Sequence, residues 1–252
     1  MRASGRDRVV EELRDRIAHL ERGGSARRRP GLPLGVEAID GHLPDGGLAR
    51  GALHEVVVGG PDLRHGAAAA LFAAVVLGRQ PGPVLWVLRA RDLFAPALAA
   101  AGLHPDRLIY AETSDAASVL PLAEEGLRHK GLAGVVAETA RLTLTTSRRL
   151  QLAAEGSGVT ALVIRRWIGT GEQHLGGTVA VTRWRLTALA SAPLGWVSGI
   201  GAPRWRLELL RCRGAEPATW TVEACDATGR LRLAPDLADG SAPADARRAA
   251  AG

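Results

Sequence analysis

The sequence predicts an α/β fold: a mostly parallel sheet flanked by helices and extended by antiparallel strands at its C-terminal end. Two observations lead to this prediction. Between residues 34 and 165, short aliphatic strands alternate with helical patterns, as is typical of a parallel sheet covered on both faces. After residue 176 the helical patterns stop, and strands separated by glycine, proline or aspartate follow one another, which indicates antiparallel pairing.

The elements of the parallel part follow a regular rhythm of strand, turn and helix. Right-handed crossovers are expected between the strands, because this connection is nearly universal in parallel sheets. The predicted strands are 53–59, 84–89, 107–111, 134–138 and 159–165, and the predicted helices are 66–79, 92–101, 115–130 and 143–156.

The predicted C-terminal strands lie within 177–189, 202–213, 219–226 and 229–234. We therefore expect an α/β core over 30–176, an antiparallel extension over 177–234 and a disordered tail over 235–252. The tail is rich in small and polar residues, which cannot bury enough apolar surface to fold.

The N-terminal segment 1–29 combines a short helix with a linker. Residues 7–22 place Val10, Leu13, Ile17 and Leu20 at alternating spacings of three and four, which makes a narrow apolar stripe on a charged helix. A run rich in glycine, proline and arginine follows. The stripe therefore either docks on a partner or packs on its own domain.

Composition limits the function classes. The chain has 252 residues, of which 46% are hydrophobic, enough for a substantial core. No apolar run approaches the about 18 residues of a membrane span, and the charged N-terminus does not resemble a signal peptide, so we expect a cytoplasmic protein. The net charge of +6 permits a nucleic-acid or acidic partner without requiring one. Cys212 and Cys225 lack metal-ligand spacing and are expected to be reduced thiols, so no metal site is predicted.

The stretch 54–77 has the outline of a phosphate-binding loop but lacks its chemistry. The glycines are present as Gly59, Gly60 and Gly66, whereas the lysine and hydroxyl positions fall on Ala67 and Ala68. The only lysine of the chain is Lys130, beyond a different helix. We therefore predict no ATP hydrolysis and no cofactor.

Two interpretations of this loop remain open from the sequence. The helix that follows it would carry a partial positive charge at its N-terminus, and Arg64 and His65 would help it to bind an anion weakly. Alternatively, the loop is only a connector between a strand and a helix.

The stretch "LPLGVEAIDGHLPDGGLARGALHEVVVGGP" resembles the opening of the RecA family of recombinase and ATPase domains. The resemblance implies a RecA-like fold, and within it the catalytic glutamate falls on or near Arg91. Glu138 stands where the family usually has an aspartate that orients magnesium through water. The residues that carry the resemblance are Gly35, Ile39, Asp40, Gly46, Gly47, Leu48, Gly51 and Glu55.

The N-terminal helix together with the C-terminal segment "TRWRLTALAS…RWRLELLRCRG…TWTVEACDATGRLRL" resembles the ImuA family. This resemblance implies a non-catalytic accessory role in damage-inducible, mutagenic translesion synthesis. It also implies contacts with an inactive, ImuB-like homologue of Y-family polymerases and with RecA, and indirectly with an error-prone replicative-type polymerase; self-association is a further expectation. The alternatives are an unconventional ATPase of the same fold and a SulA-type division inhibitor.

Two C-terminal features are candidate contact surfaces for a partner or DNA. In the "TRWRL" and "PRWRL" strands, Trp184 and Trp205 are expected on one face and arginines on the other, which describes either a contact face or an ordinary amphipathic sheet. The loop 165–178 corresponds to a DNA-contacting loop of the RecA family or to a flexible connector. The candidate contact residues are Arg165, Arg166, Trp167, His174, Arg183, Arg185, Arg204 and Arg206.

Overall fold

The computed structural model describes residues 30–167, 175–191, 201–224 and 230–234. The strands are β1 (Leu53–Val58), β2 (Val84–Leu88), β3 (Leu108–Glu112), β4 (Gly134–Thr139), β5 (Thr160–Arg165), β6 (Thr182–Leu189), β7 (Arg204–Cys212), β8 (Ala218–Glu223) and β9 (Arg232–Leu233). The helices are α1 (Glu37–Asp40), α2 (Asp62–Gly78), α3 (Ala95–Ala100), α4 (Val119–Leu127) and α5 (Leu144–Ser157). The strands form one sheet in the order β3-β2-β4-β5-β1-β6-β7-β8-β9.

The parallel part of the sheet confirms the predicted alternation of strands and helices. β1 to β5 are parallel to their neighbours, and each begins and ends within one residue of its predicted range. β6 was expected in the antiparallel part, but it pairs in parallel with β1, so antiparallel pairing begins only between β6 and β7. The connection 166–181 is long enough for the chain to cross β1 and return in the same direction.

The helices cover both faces of the sheet, as expected for crossovers in a parallel sheet. Phe72 of α2 and Leu98 of α3 belong to one hydrophobic core, whereas Leu127 of α4 and Leu150 of α5 belong to the other. β2 and β4 are neighbours in the sheet, and the helices that follow them, α3 and α5, lie on opposite faces. Such a switch opens a crevice at the carboxyl ends of the two strands.

The residues that resemble the RecA opening have structural tasks. The Asp40 carboxylate accepts hydrogen bonds from the backbone N–H groups of Leu34 (2.7 Å) and Gly35 (2.8 Å), which closes the turn before β1. Gly35 adopts a φ of +82°, a conformation that favours glycine. This segment therefore shapes the entry to the sheet.

The antiparallel strands carry their tryptophans into the core. Trp184 and Trp205 are buried, and the Trp184 ring lies 5.6 Å from that of Phe72. The expectation that every strand arginine faces outward is wrong for Arg204, which is buried beside Glu223 on β8 (3.2 Å). Pairing with a cross-strand carboxylate makes this burial tolerable.

Several predictions lie outside the described residues: the N-terminal helix 7–22, the tail 235–252, His174 and Cys225. Within the described ranges, none of the helices has the length and apolar character needed to cross a membrane.

Candidate functional site

The turn between β1 and α2 occupies the place of the predicted phosphate loop. Helix α2 was predicted to begin near residue 66, but it begins at Asp62, so the turn is only Gly59, Gly60 and Pro61. Asp62 in the first helical turn favours this early start, because a carboxylate there interacts well with the helix dipole. Residues 62–66 therefore form a helical turn and not a loop that could surround a phosphate.

Three of the backbone donors at the start of α2 already have acceptors within the fold. The N–H of Asp62 donates to the Trp167 carbonyl (3.2 Å), and those of Arg64 and His65 donate to the Pro61 carbonyl (3.0 and 3.3 Å). A phosphate site at a helix start depends on free N–H groups of this kind. The hydrogen bonding therefore favours the connector over the anion site.

Close packing explains why glycines are retained in this turn. A Cβ on Gly59 would collide with the Thr187 side chain, and one on Gly60 would lie 2.7 Å from the His65 ring. His65 is buried, and its Nδ1 accepts a hydrogen bond from the Ala188 N–H of β6 (3.0 Å). His65 thus joins α2 to β6 and does not face a ligand, and its pKa is lowered by burial and by the Arg64 charge.

The lysine and hydroxyl positions of the loop have different surroundings. Ala67 is exposed and lines a cavity of ≈ 710 Å³ at the carboxyl ends of β1, β4 and β5. Ala68 is only 3% exposed and belongs to the core. A hydroxyl at position 68 would therefore sit among apolar side chains.

The guanidinium of Arg166 lines this cavity. Arg166 follows β5 and donates to carboxylates from three other parts of the fold: Asp62 of α2, Asp92 after β2 (2.5 and 3.2 Å) and Glu138 of β4 (2.5 Å). Its side chain is only 18% exposed. Glu138 is held further by the indole N–H of Trp86 (2.7 Å). We call Asp62, Asp92, Glu138 and Arg166 the Arg166 cluster.

The charge of the Arg166 cluster opposes a nucleotide. Three carboxylates surround one guanidinium, and Oδ1 of Asp62 is buried without a hydrogen-bond partner in the described structure. The hydrogen bond from Arg166 lowers the pKa of Asp92, which keeps that carboxylate ionised. Burial raises the pKa of Glu138, although the charge of Arg166 opposes the shift. Phosphate oxygens entering this cavity would meet like charge.

The residues present do not fit the magnesium nucleotide that a RecA-like fold implies. Arg166 is the one cation among the residues lining the cavity, and its Nε, Nη1 and Nη2 atoms already bind carboxylates. Arg64, Arg89 and Arg91, which an unconventional ATPase would need as cations for the phosphates, do not line the cavity. Arg91 is exposed and pairs with Glu112 of β3 (2.5 Å). The described residues also contain no cluster of three metal-ligating side chains.

The predicted contact arginines are mostly paired inside the fold. Glu55 of β1 is fully buried and accepts from Arg165 of β5 (2.8 Å) and Arg183 of β6 (2.8 Å). Arg185 of β6 pairs with Glu208 of β7 (3.4 Å). These contacts hold strands together.

Arg206 differs from the other predicted contact arginines, because it is exposed and has no ion pair with a described residue. Trp167 is partly buried against the core and lines the cavity beside the Arg166 cluster.

Sequence reasoning missed Asp62 and Asp92 and treated Arg166 only as a surface contact. One signal was available: a lone glutamate in the aliphatic strand "LHEVVV" requires a buried cation nearby, and Arg165 ends another aliphatic strand. No comparable signal joined Asp62, Asp92, Glu138 and Arg166, because they are far apart in the chain.

Comparison with known proteins identifies the fold and the family. No family model matches the chain. The chain is similar to the crystal structure of the RadB recombinase, with a TM-score of 0.59, 17% identity, and coverage of 81% of this chain and 100% of that one. This similarity shows the RecA-like fold alone.

Two curated relatives are closer in sequence. Both are described as Protein ImuA, from Caulobacter vibrioides strains NA1000 / CB15N and ATCC 19089 / CIP 103742 / CB 15. Each is 39% identical over 228 residues, which cover 86% of this chain and 93% of the relative. Identity at this level over nearly the whole length means that the chain belongs to the ImuA family.

Proposed function

We propose that this protein is a non-enzymatic, RecA-like adaptor in damage-induced mutagenic translesion synthesis. It would bridge RecA and an inactive, ImuB-like homologue of Y-family polymerases, and through that homologue an error-prone polymerase. Membership of the ImuA family supports a role in mutagenic translesion synthesis. The proposal places this role in the cytoplasm. The observation that carries the non-enzymatic part is that Arg166, the cation lining the cavity beside Ala67, is already paired with three carboxylates.

This arrangement supports an adaptor because the sheet edge at which a RecA-like ATPase would act is here held together by structural contacts. Arg166 links α2, the loop after β2 and the ends of β4 and β5, so the edge is held by internal ion pairs. A nucleotide would have to displace these pairs and leave the carboxylates uncompensated. The alternative ATPase would need another cation at the phosphates, and among the described residues only Arg166 supplies a cation to the cavity lining. No feature of the described residues favours a division inhibitor over the adaptor.

The first experiment measures nucleotide binding and phosphate release by purified protein with magnesium and ATP. We expect no saturable binding and no turnover, under conditions in which an active RecA-fold ATPase shows both. Turnover that is lost in an Arg64→Ala variant would contradict the proposal and restore the unconventional ATPase.

The second experiment tests the pathway in cells. A strain lacking the gene should lose damage-induced mutations, and the wild-type, Arg64→Ala and Arg91→Ala chains should all restore them. Wild-type protein should also co-purify the polymerase homologue and RecA without added nucleotide. Filamentation on overproduction, with an unchanged mutation frequency, would instead support the division inhibitor.

A further inference from the structure

A second cavity lies in the crevice between the carboxyl ends of β2 and β4. It measures ≈ 470 Å³ and opens on the side of α4 and α5. Its volume is within the range of about 300–1,000 Å³ that is usual for ligand pockets. We call it the β2–β4 crevice. Its lining residues are Arg89, Ala90, Ala116, Ala117, Leu120, Pro121, Glu124, Glu138, Thr139, Ala140, Arg141, Thr146, Arg149 and Arg166.

The carboxylates that line the crevice are compensated by arginines. Glu124 is 11% exposed and pairs with Arg149 (2.6 Å) and Arg128 (3.1 Å). Glu138 is 4% exposed and pairs with Arg166. Neither glutamate offers an exposed negative charge to a ligand.

The rim of the crevice carries positive charge that the fold does not compensate by ion pairs. Arg89 and Arg141 are both exposed, and neither pairs with a carboxylate among the described residues. The guanidinium of Arg89 donates only to the Ser114 carbonyl (3.2 Å). Nearby Asp115 accepts hydrogen bonds within its own turn from the Ala117 N–H (3.0 Å) and the Ser118 hydroxyl (2.7 Å). These bonds, and to a smaller degree the charge of Arg89, lower the pKa of the Asp115 carboxyl, but the two side chains form no ion pair. An anionic ligand would therefore find two available guanidinium groups.

The wall of the crevice is aliphatic. Ala117, Leu120 and Pro121 line it on one side and Ala140 on another, and no aromatic side chain is among the lining residues. Single-stranded nucleic acid is usually held by aromatic rings that stack on its bases, so this wall suits it poorly. A small aliphatic side chain flanked by carboxylates would match both the wall and the rim.

We infer that the β2–β4 crevice binds an acidic peptide segment of a partner protein, with an aliphatic side chain in the cavity and flanking carboxylates on Arg89 and Arg141. This inference rests on the proposed adaptor function, because it supplies one surface by which an adaptor would hold a protein. The crevice shares Glu138 and Arg166 with the Arg166 cluster, but the two arginines proposed to bind the peptide, Arg89 and Arg141, are not members of that cluster.

The test begins with selection of binders to the purified full-length protein from a random-peptide display library. We expect a consensus of aspartate or glutamate around an aliphatic residue. A labelled peptide with that consensus should bind less tightly as salt is raised, because exposed charge pairs are screened. Arg89→Glu with Arg141→Glu should lower its affinity by about tenfold or more.

Two further variants separate the crevice from general surface charge. Ala117→Trp, at an exposed position, narrows the cavity without changing the charge and should also weaken binding of the peptide. Arg148→Glu changes an exposed arginine of α5 that does not line the crevice, and it should leave affinity unchanged. Thermal melts confirm that each variant is folded.

Three results would overturn the inference. They are the absence of an acidic consensus, equal binding by the Arg89→Glu/Arg141→Glu and wild-type proteins, and binding of oligothymidine instead of peptide at this rim. Each leaves the adaptor proposal standing, because nucleotide binding and mutation frequency are measured independently of the peptide.

Discussion

The Nη1 atom of Arg166 donates to Oε2 of Glu138 across 2.5 Å, which joins the end of β5 to the end of β4. By the resemblance to the RecA family, Glu138 falls where that family usually has a magnesium-orienting aspartate. In this fold its carboxylate pairs with a guanidinium that also pairs with Asp62 and Asp92. The carboxylate at the end of β4 is thereby used for structural stability.

Replacing Arg166 with alanine should destabilise the protein by about 2–3 kcal/mol near neutral pH. Breaking a fully buried ion pair costs about 3–5 kcal/mol, and the estimate is reduced because Arg166 is partly exposed. The loss should shrink as pH falls, because the lowered pKa of Asp92 gives stability that is lost when that carboxylate is protonated. Urea unfolding over a pH series measures both effects.

Arg91→Ala is the matched control for this experiment, because Arg91 also pairs with a carboxylate but is 83% exposed. Its effect should be below about 1 kcal/mol. Equal effects of the two variants, or an Arg166→Ala loss that does not change with pH, would contradict the structural role of the Arg166 cluster.

Restoring the phosphate-loop residues, with Ala67→Lys and Ala68→Thr together, should not create ATP hydrolysis. Helix α2 would still begin at Asp62, and the carboxylates of the Arg166 cluster would still line the cavity. The threonine hydroxyl would also be buried and should destabilise the fold by about 1–3 kcal/mol. Phosphate release and a denaturant melt test the two expectations. The single variant Ala67→Lys, at an exposed position, separates the effect on hydrolysis from the effect on stability. Efficient ATP turnover by the double variant would refute the prediction.

His54 should make stability depend on pH. Burial of its ring lowers the pKa of His54 from 6.5 to about 4, although the hydrogen bond to the Ala49 carbonyl opposes the shift. As pH falls between these two pKa values, His54 becomes protonated in the unfolded chain but stays neutral in the folded chain. The free energy of unfolding therefore keeps the whole His54 contribution above the unfolded pKa. It should decrease by about 3 kcal/mol as pH falls to the folded pKa.

Unfolding of His54→Gln over the same pH range checks this prediction, and most of the slope should disappear in the variant. His65, whose pKa is also lowered, should account for a remainder. The control is His104→Gln, because His104 is exposed and should leave the slope intact. An unchanged slope in His54→Gln would show that another group is responsible.

The apolar stripe of the N-terminal helix should be a binding surface. Leu13→Asp with Ile17→Asp is expected to weaken binding to the polymerase homologue, to RecA or to itself by about tenfold or more, since each anchor buries area worth about 1.5–3 kcal/mol. The body from residue 34 should melt at nearly the same temperature. Pull-down and size-exclusion measurements beside a thermal melt decide the matter.

A charge-matched control is available at positions that the sequence pattern predicts on the opposite face of the helix. Arg8→Ala with Arg22→Ala changes the net charge by the same amount and should leave binding intact. If the Leu13→Asp/Ile17→Asp variant unfolds early while every partner still binds, the stripe belongs to the core of this domain.

The sequence by itself determined the elements and their order. Period-two and helical patterns are local properties, so the five parallel strands and the helices between them could be located from nearby residues. The loss of the phosphate-loop chemistry at Ala67 and Ala68 was equally visible, because that motif is a short run of residues. The direction of β6 was not, since it depends on how the chain crosses β1.

Only the tertiary structure decided what replaced the lost chemistry. Asp62, Asp92, Glu138 and Arg166 come from four separate segments, and the parallel sheet brings them together because its strands end at the same edge. The same holds for Glu55, Arg165 and Arg183, which meet through strand order and not through spacing. Contacts between residues far apart in the chain depend on the order of the strands in the sheet, and local sequence patterns do not predict that order.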